Sequence, residues 1–317
     1  MSNLKAVSSS PHIRSSVTTS SIMRDVCMAL IPSLIAGVFF FGYRAALVTL
    51  LAVIFCVGFE FLWQKILKKE VTISDGTALV TGMLLAFNLP VTAPWWMVLI
   101  GSFVAIIIAK QFYGGTGNNF VNPALAGRAF LLASWPVLMT NWVQPFDAVS
   151  GATPLAILKN PEAGVLPELS DMFFGNIAGC IGETSALALI IGGIYLVARR
   201  VINIRIPFAY ILTVAILAFI FPSVGLSSTD SMLYNILGGG LMLGAIFMAT
   251  DYVTSPITRS GQVIMGIGCG ILTFVIRRFG GYPEGVSYSI LLMNVATPLI
   301  DRWTTPKVFG SVKERRG

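Results

Sequence analysis

AFNLPVTAPWWMVLIGSFVAIIIAKQFYGGTGNNFVNP, Ala86 to Pro123, and ATDYVTSPITRSGQVIMGIGCGILTFVIRRFGGYPEGVSYS, Ala249 to Ser289, carry the same features in the same order. In each, a helix ends in a polar or Pro-containing turn, an apolar helix follows and finishes in basic residues, and a Gly-Gly loop opens the next helix. Apolar stretches of about 17 to 22 residues, the length that crosses a bilayer, lie at 26–43, 45–64, 76–92, 95–111, 123–139, 177–198, 207–222, 233–250, 262–279 and 285–301. The expected fold is an all-α polytopic membrane protein of about ten transmembrane helices. Divided five and five, the second unit stands upside down relative to the first. Two inverted five-helix repeats of this kind enclose a site near the midplane, between broken helices.

Composition supports this. With 55% hydrophobic and 11% charged residues and a mean hydropathy of +0.81, the chain lacks the charged surface that a soluble globule shows to water. The third span (Gly82, Pro90), the fifth (Pro123, Gly127, Pro136) and the eighth (Gly238, Gly239, Gly240, Gly244) carry helix-breaking residues. Such breaks are tolerated at membrane depth where the freed backbone is buried in protein or lines a cavity.

Lysine and arginine accumulate on the cytoplasmic side of membrane proteins. With the N-terminus inside, that side holds Lys65, Lys68, Lys69, Lys110, Arg199, Arg200, Arg205, Arg259, Arg302 and the basic residues of both tails. The other side keeps Arg44, Lys159, Arg277 and Arg278, with Arg128 in the fifth span. The expected organisation is a cytoplasmic tail 1–24, a first repeat 25–139, an extracytoplasmic loop 140–176, a second repeat 177–301 and a cytoplasmic tail 302–317. The net charge of +7 follows from this asymmetry and from attraction to anionic lipid headgroups. It needs no nucleic-acid partner.

The first 20 residues lack an apolar core followed by a small-residue cleavage site, so no removable signal peptide is expected. Cys27, Cys56, Cys180 and Cys269 fall singly in four different spans, without C-x-x-C spacing, and read as small apolar packing residues. With one histidine, in the polar N-terminal tail, no protein-ligated metal site is expected. Among ionisable residues near or within spans, each costly in hydrocarbon, Glu60 and Asp75 read as solvated helix ends beside the lysines. Glu183 and Asp251 read as boundary carboxylates that could line an ion route.

GGTGNNFVNPALAGRAF, Gly114 to Phe130, lacks the Gly-Lys-Ser/Thr ending of a phosphate-binding loop and follows no strand. Asn122-Pro123 marks a helix start. Thr116, Asn118, Asn119 and Asn122 could hydrogen-bond a polar ring, or could simply form a tight turn.

The loop between the repeats holds Asp147-Ala-Val-Ser150-Gly151-Ala152-Thr153, which looks like a flavin attachment motif. Ser150, Gly151 and Ala152 leave the backbone free to enter a modifying enzyme's cleft. Thr153 reads as the N-cap of a short helix opened by Pro154. A phosphate on its hydroxyl would lie at a helix N-terminus, among unpaired N–H groups.

DAVSGAT at 147–153, GGTGNNFVNPALAGRAFLL at 114–132, SDGTALVTGMLLAFNLP at 74–90 and GAIFMATDYVTSP at 244–256 resemble the D subunit of Rnf electron-transport complexes. They are almost equally similar to the related B subunit of the sodium-pumping NADH:quinone reductase, and the short N-terminal extension favours the former. The resemblance covers about residues 20 to 305, in order. It implies FMN joined by a phosphoester to Thr153, installed by a separate flavin transferase that reads the D-x-x-S-G-A-T pattern. It also implies riboflavin or a second flavin held non-covalently in the bundle, at positions that it does not assign. The implied role is a multi-pass subunit of the bacterial inner (cell) membrane that relays electrons while the complex moves Na+ or H+, among other membrane and iron–sulfur subunits and without independent catalysis. A small-solute channel or transporter of inverted-repeat architecture is the alternative from another class.

Overall fold

The computed structural model describes residues 17–146, 149–160, 162 and 164–306, and among them every regular element is helical. In chain order these are α1 (Thr19–Phe41), α2 (Tyr43–Ile66), α3 (Thr77–Phe87), α4 (Trp95–Phe103), α5 (Pro123–Ser134), α6 (Pro136–Met139), α7 (Pro154–Lys159), α8 (Leu169–Phe174), α9 (Ala186–Ala198), α10 (Arg205–Ile220), α11 (Ser228–Leu237), α12 (Leu241–Leu243), α13 (Arg259–Phe279) and α14 (Val286–Thr304). The tail residues 1–16 and 307–317, together with Asp147 and Ala148 of the loop motif, lie outside the described residues.

Local chemistry sets the helix starts. Thr18 and Ser21 form a reciprocal capping box at α1, Asn122 caps α5 with Pro123 in its first turn, and Thr258 caps α13. Both α4 and α12 run on into a single wide turn, seen in Ala109 N–H donating to Val104 O at 2.9 Å and Ala249 N–H to Gly244 O at 2.7 Å. These i→i+5 bonds mark π-turns, which recur near functional sites.

Four stretches are long and apolar enough to cross a membrane: Thr19–Phe41, Tyr43–Ile66, Trp95–Tyr113 and Arg259–Phe279. Ser228–Leu237 with Leu241–Met248 makes a fifth, bent by 61° at the glycines between them. Of the other five predicted spans, 207–222 and 285–301 are the unbroken helices α10 and α14, and three are interrupted. Span 76–92 holds the 11-residue α3 followed by irregular chain, 123–139 breaks at Trp135, and 177–198 is helical only from Ala186. An 11-residue helix is about 16 Å long, roughly half the hydrocarbon thickness.

The freed backbone is paired inside the protein. Ile181 N–H donates to Leu89 O at 3.2 Å and Gly182 N–H to Phe87 O at 3.1 Å, so the irregular end of α3 and the irregular lead into α9 satisfy one another. Ser33 Oγ of α1 adds a bond to Gly182 O at 2.8 Å. α1 packs on α9, α5 on α14, α2 on α3 and α10 on α13. The α1–α9 crossing needs Gly192, because a Cβ there would overlap Ala29 O.

Candidate functional site

A short hairpin presents the loop motif. Val143 and Ser150 form an antiparallel bridge, Gln144 N–H donates to Val149 O at 2.8 Å, and Gly151 N–H donates to Trp142 O at 3.0 Å. Gly151 lies against Gln144, where a Cβ would come within 2.8 Å of Cγ. Ser150 is exposed, Gly151 and Ala152 are half-buried, and Thr153 is only 3% exposed. As expected, Thr153 is the N-cap of α7: its backbone is extended and its Oγ accepts from Ala156 N–H at 3.3 Å. Leu155 sits against Gly238 and Gly239. The motif therefore rests on the break between α11 and α12.

On the far side of that break lies a buried polar network. Arg128 donates through Nη1 to Asn88 Oδ1 at 2.7 Å and to Ser287 Oγ at 3.0 Å, and its Nη2 pairs with Glu284. The Cys180 thiol donates to Asn88 O at 3.4 Å. Glu183, 7% exposed, has one carboxylate oxygen without a hydrogen-bond partner. Gly240, at φ +67°, faces that oxygen; a Cβ there would lie 2.7 Å from it. Ligand atoms of Cys180, Glu183 and Glu284 lie within 4.8 Å of one another, but the Arg128 guanidinium already engages Glu284, so the network is an ion-paired one. Asn88, Ser287 and Glu284 do not stand out in the sequence. Their one signal is the Pro- and Gly-rich turns that flank them.

On the side of the basic loops, a cavity of about 450 Å³ is lined by Thr77, Lys110, Thr116, Asn119, Asn122 and Asp251, with apolar residues of α1, α3 and α9. Three of the four polar candidates from the Gly114 loop meet there; Asn118 does not line it. Much of their bonding capacity is used: Asn122 Oδ1 caps α5, its Nδ2 donates to Met248 O at 3.2 Å, and Thr116 Oγ donates to Asp75 Oδ2 at 3.1 Å. Asp251 Oδ2 accepts from Thr254 Oγ at 3.0 Å, and burial pushes its carboxyl up.

Glu60 corrects an expectation. Instead of a solvated helix end it is fully buried, 2.9 Å from Lys110 Nζ through both oxygens, and also accepts from Gln111 Nε2 at 2.9 Å. The cause is that α2 and the turn after α4 pack together, which leaves a carboxylate and an ammonium to satisfy one another away from water. Asp75 is half-buried and bonds to Thr77 N–H at 2.8 Å. All four cysteines are free thiols, and three are buried, in keeping with packing roles; Cys180 also joins the polar network.

The chain matches the model of the NQR2, RnfD, RnfE family over residues 6–310. The D subunit of the Na(+)-translocating ferredoxin:NAD(+) oxidoreductase complex of Acetobacterium woodii is 52% identical over 314 residues, covering 98% of this chain and 96% of that protein. The D subunit of the proton-translocating ferredoxin:NAD(+) oxidoreductase complex of Clostridium ljungdahlii is 47% identical over 321 residues, covering 98% and 97%. The D subunit of an ion-translocating oxidoreductase complex of Stutzerimonas stutzeri is 40% identical over 332 residues, covering 94% and 93%.

Proposed function

The chain belongs to the NQR2, RnfD, RnfE family, and from that premise we propose that it is the D subunit of an ion-translocating ferredoxin:NAD+ oxidoreductase complex that relays electrons through FMN esterified to Thr153. The observation that carries this reading is the position of Thr153. It closes an intact attachment motif, caps a helix that opens with proline, and follows a short hairpin outside the long apolar helices. Its Oγ makes a single long hydrogen bond, to Ala156 N–H at 3.3 Å, so esterification gives up little hydrogen bonding. A transferase reaches the hydroxyl once α7 lifts from Gly238 and Gly239.

FMN, when bound, takes up two electrons or passes single ones. This chain's part is to tether and orient it. A covalent link makes binding intramolecular, at high effective concentration, so the cofactor is not lost to the medium. The relatives' names as D subunits favour this reading over a B-like subunit of a quinone reductase.

The packing of α1 on α9 and of α5 on α14 pairs elements at corresponding positions of the two halves, which supports an inverted five-helix repeat. Both termini face the cytoplasm with the basic loops, and the hairpin faces outward. The cavity beside Lys110, Thr116 and Asn119 holds the second, non-covalent flavin, riboflavin, against their polar groups. Partners are other membrane and iron–sulfur subunits, a flavin transferase and the bilayer. The test is the mass of the intact chain from its native host: an FMN adduct on the Thr153 peptide is expected, and an unmodified mass overturns the assignment.

A further inference from the structure

We propose that the cavity between α7, α10 and α13 seats the phosphate headgroup of an anionic phospholipid. It has a volume of about 370 Å³ and is lined by Lys159, Arg277 and Arg278, with Phe221 and Phe274 among its apolar walls. Of the four cations that the charge pattern leaves on the loop-bearing side, three meet here, and no carboxylate is among the lining residues.

Arg277 makes the site more than a basic patch. It is 7% exposed, yet among the described residues no carboxylate pairs with it. Its Nη1 donates to Asn235 O at 2.6 Å and its Nη2 to Gly238 O at 2.9 Å, which caps α11, while its Nε–H has no acceptor. A guanidinium buried without a counter-ion is costly, and an anion in the cavity offsets that cost. Lys159 donates to Gly280 O, and neither it nor the exposed Arg278 is ion-paired among the described residues.

Depth selects the class of anion. The cavity lies at the C-terminal end of the 21-residue α13, a helix of bilayer-spanning length, so it stands at the level of lipid headgroups. Ile220, Phe221 and Phe279 are exposed beside it and continue the apolar wall toward the hydrocarbon. The ligand that matches is a phosphodiester with an apolar tail, drawn in by clustered cations. Such a site does not depend on flavin attachment.

The test uses the full-length chain, purified in detergent and titrated with phosphatidylglycerol or phosphatidylcholine of identical acyl chains, with bound lipid counted by native mass spectrometry. The expected result is a preference for phosphatidylglycerol on the order of tenfold or more, lost in the Lys159→Gln, Arg278→Gln double variant. Both residues are exposed, so the variant keeps its helical circular dichroism, and Arg277 is left in place to hold α11. Equal binding of the two lipids, or a preference that survives the double substitution, overturns the proposal. So does a preference found only in Thr153→Ala protein, which would give the cavity to the tethered flavin.

Discussion

Lys110 closes on Glu60 inside the first half of the chain, its ammonium 2.9 Å from both carboxylate oxygens and 2.6 Å from Thr77 Oγ. Fifty residues separate the two in sequence, and both are buried. Removing either partner strands a charge. Lys110→Met is expected to cost about 3–5 kcal/mol, whereas Lys110→Met combined with Glu60→Leu recovers much of it, because no buried charge is left. A double-mutant cycle by thermal unfolding in detergent measures this; additive effects would count against direct pairing.

Gly240 is needed for two separate reasons. Its φ of +67° is strained for any residue with a side chain, and a Cβ would meet Glu183 Oε2 at 2.7 Å. Gly240→Ala is therefore expected to destabilise by about 1–3 kcal/mol from the backbone alone, plus a contribution from the contact. Glu183→Ala in the same chain should remove the second part and leave the first. Unfolding midpoints of the four proteins separate the two.

Substitutions at Thr153 distinguish cap from carrier. Thr153→Ala loses one N-cap bond, worth about 1 kcal/mol, at the end of the six-residue α7, so the protein should still fold and insert. It should nonetheless show no fluorescent band after denaturing electrophoresis. A band that persists in Thr153→Ala refutes attachment at this residue.

Asp251 has its carboxyl raised by burial from the ordinary value of 3.8. A group raised on folding adds stability below its unfolded value, and that stability is lost as pH rises through the folded value. Asp251→Asn, which stays neutral, is therefore expected to raise the melting temperature near pH 7. The gain should shrink as pH falls from the raised folded value toward about 4 and vanish below it, where the unfolded carboxyl is protonated too. A gain independent of pH would point to packing instead.

Cap residues such as Thr153, Asn122 and Thr18 are readable from sequence, or follow rules that are, because a capping bond joins residues two or three apart. The breaks at Pro90, Pro136 and Gly238 to Gly240 are visible as residue types. That they shorten α3 and α5 to half-helices and bend α11 from α12 by 61° is not, since an apolar run has the same hydropathy whether it crosses straight or folds back. Arg128 stands out as costly in hydrocarbon, but Glu284, its partner 156 residues away, does not. No local signal couples them.

Membrane character, the charge asymmetry and the Thr153 helix cap belong to the chain itself, because composition and short-range capping do not depend on how distant segments meet. Tertiary packing decided that Glu60 is buried on Lys110, that Lys159, Arg277 and Arg278 share one cavity, and that α7 rests on the Gly238–Gly240 break. Each is a relation between residues many positions apart, and the energies that select them, desolvation and charge pairing, exist only once the helices have excluded water.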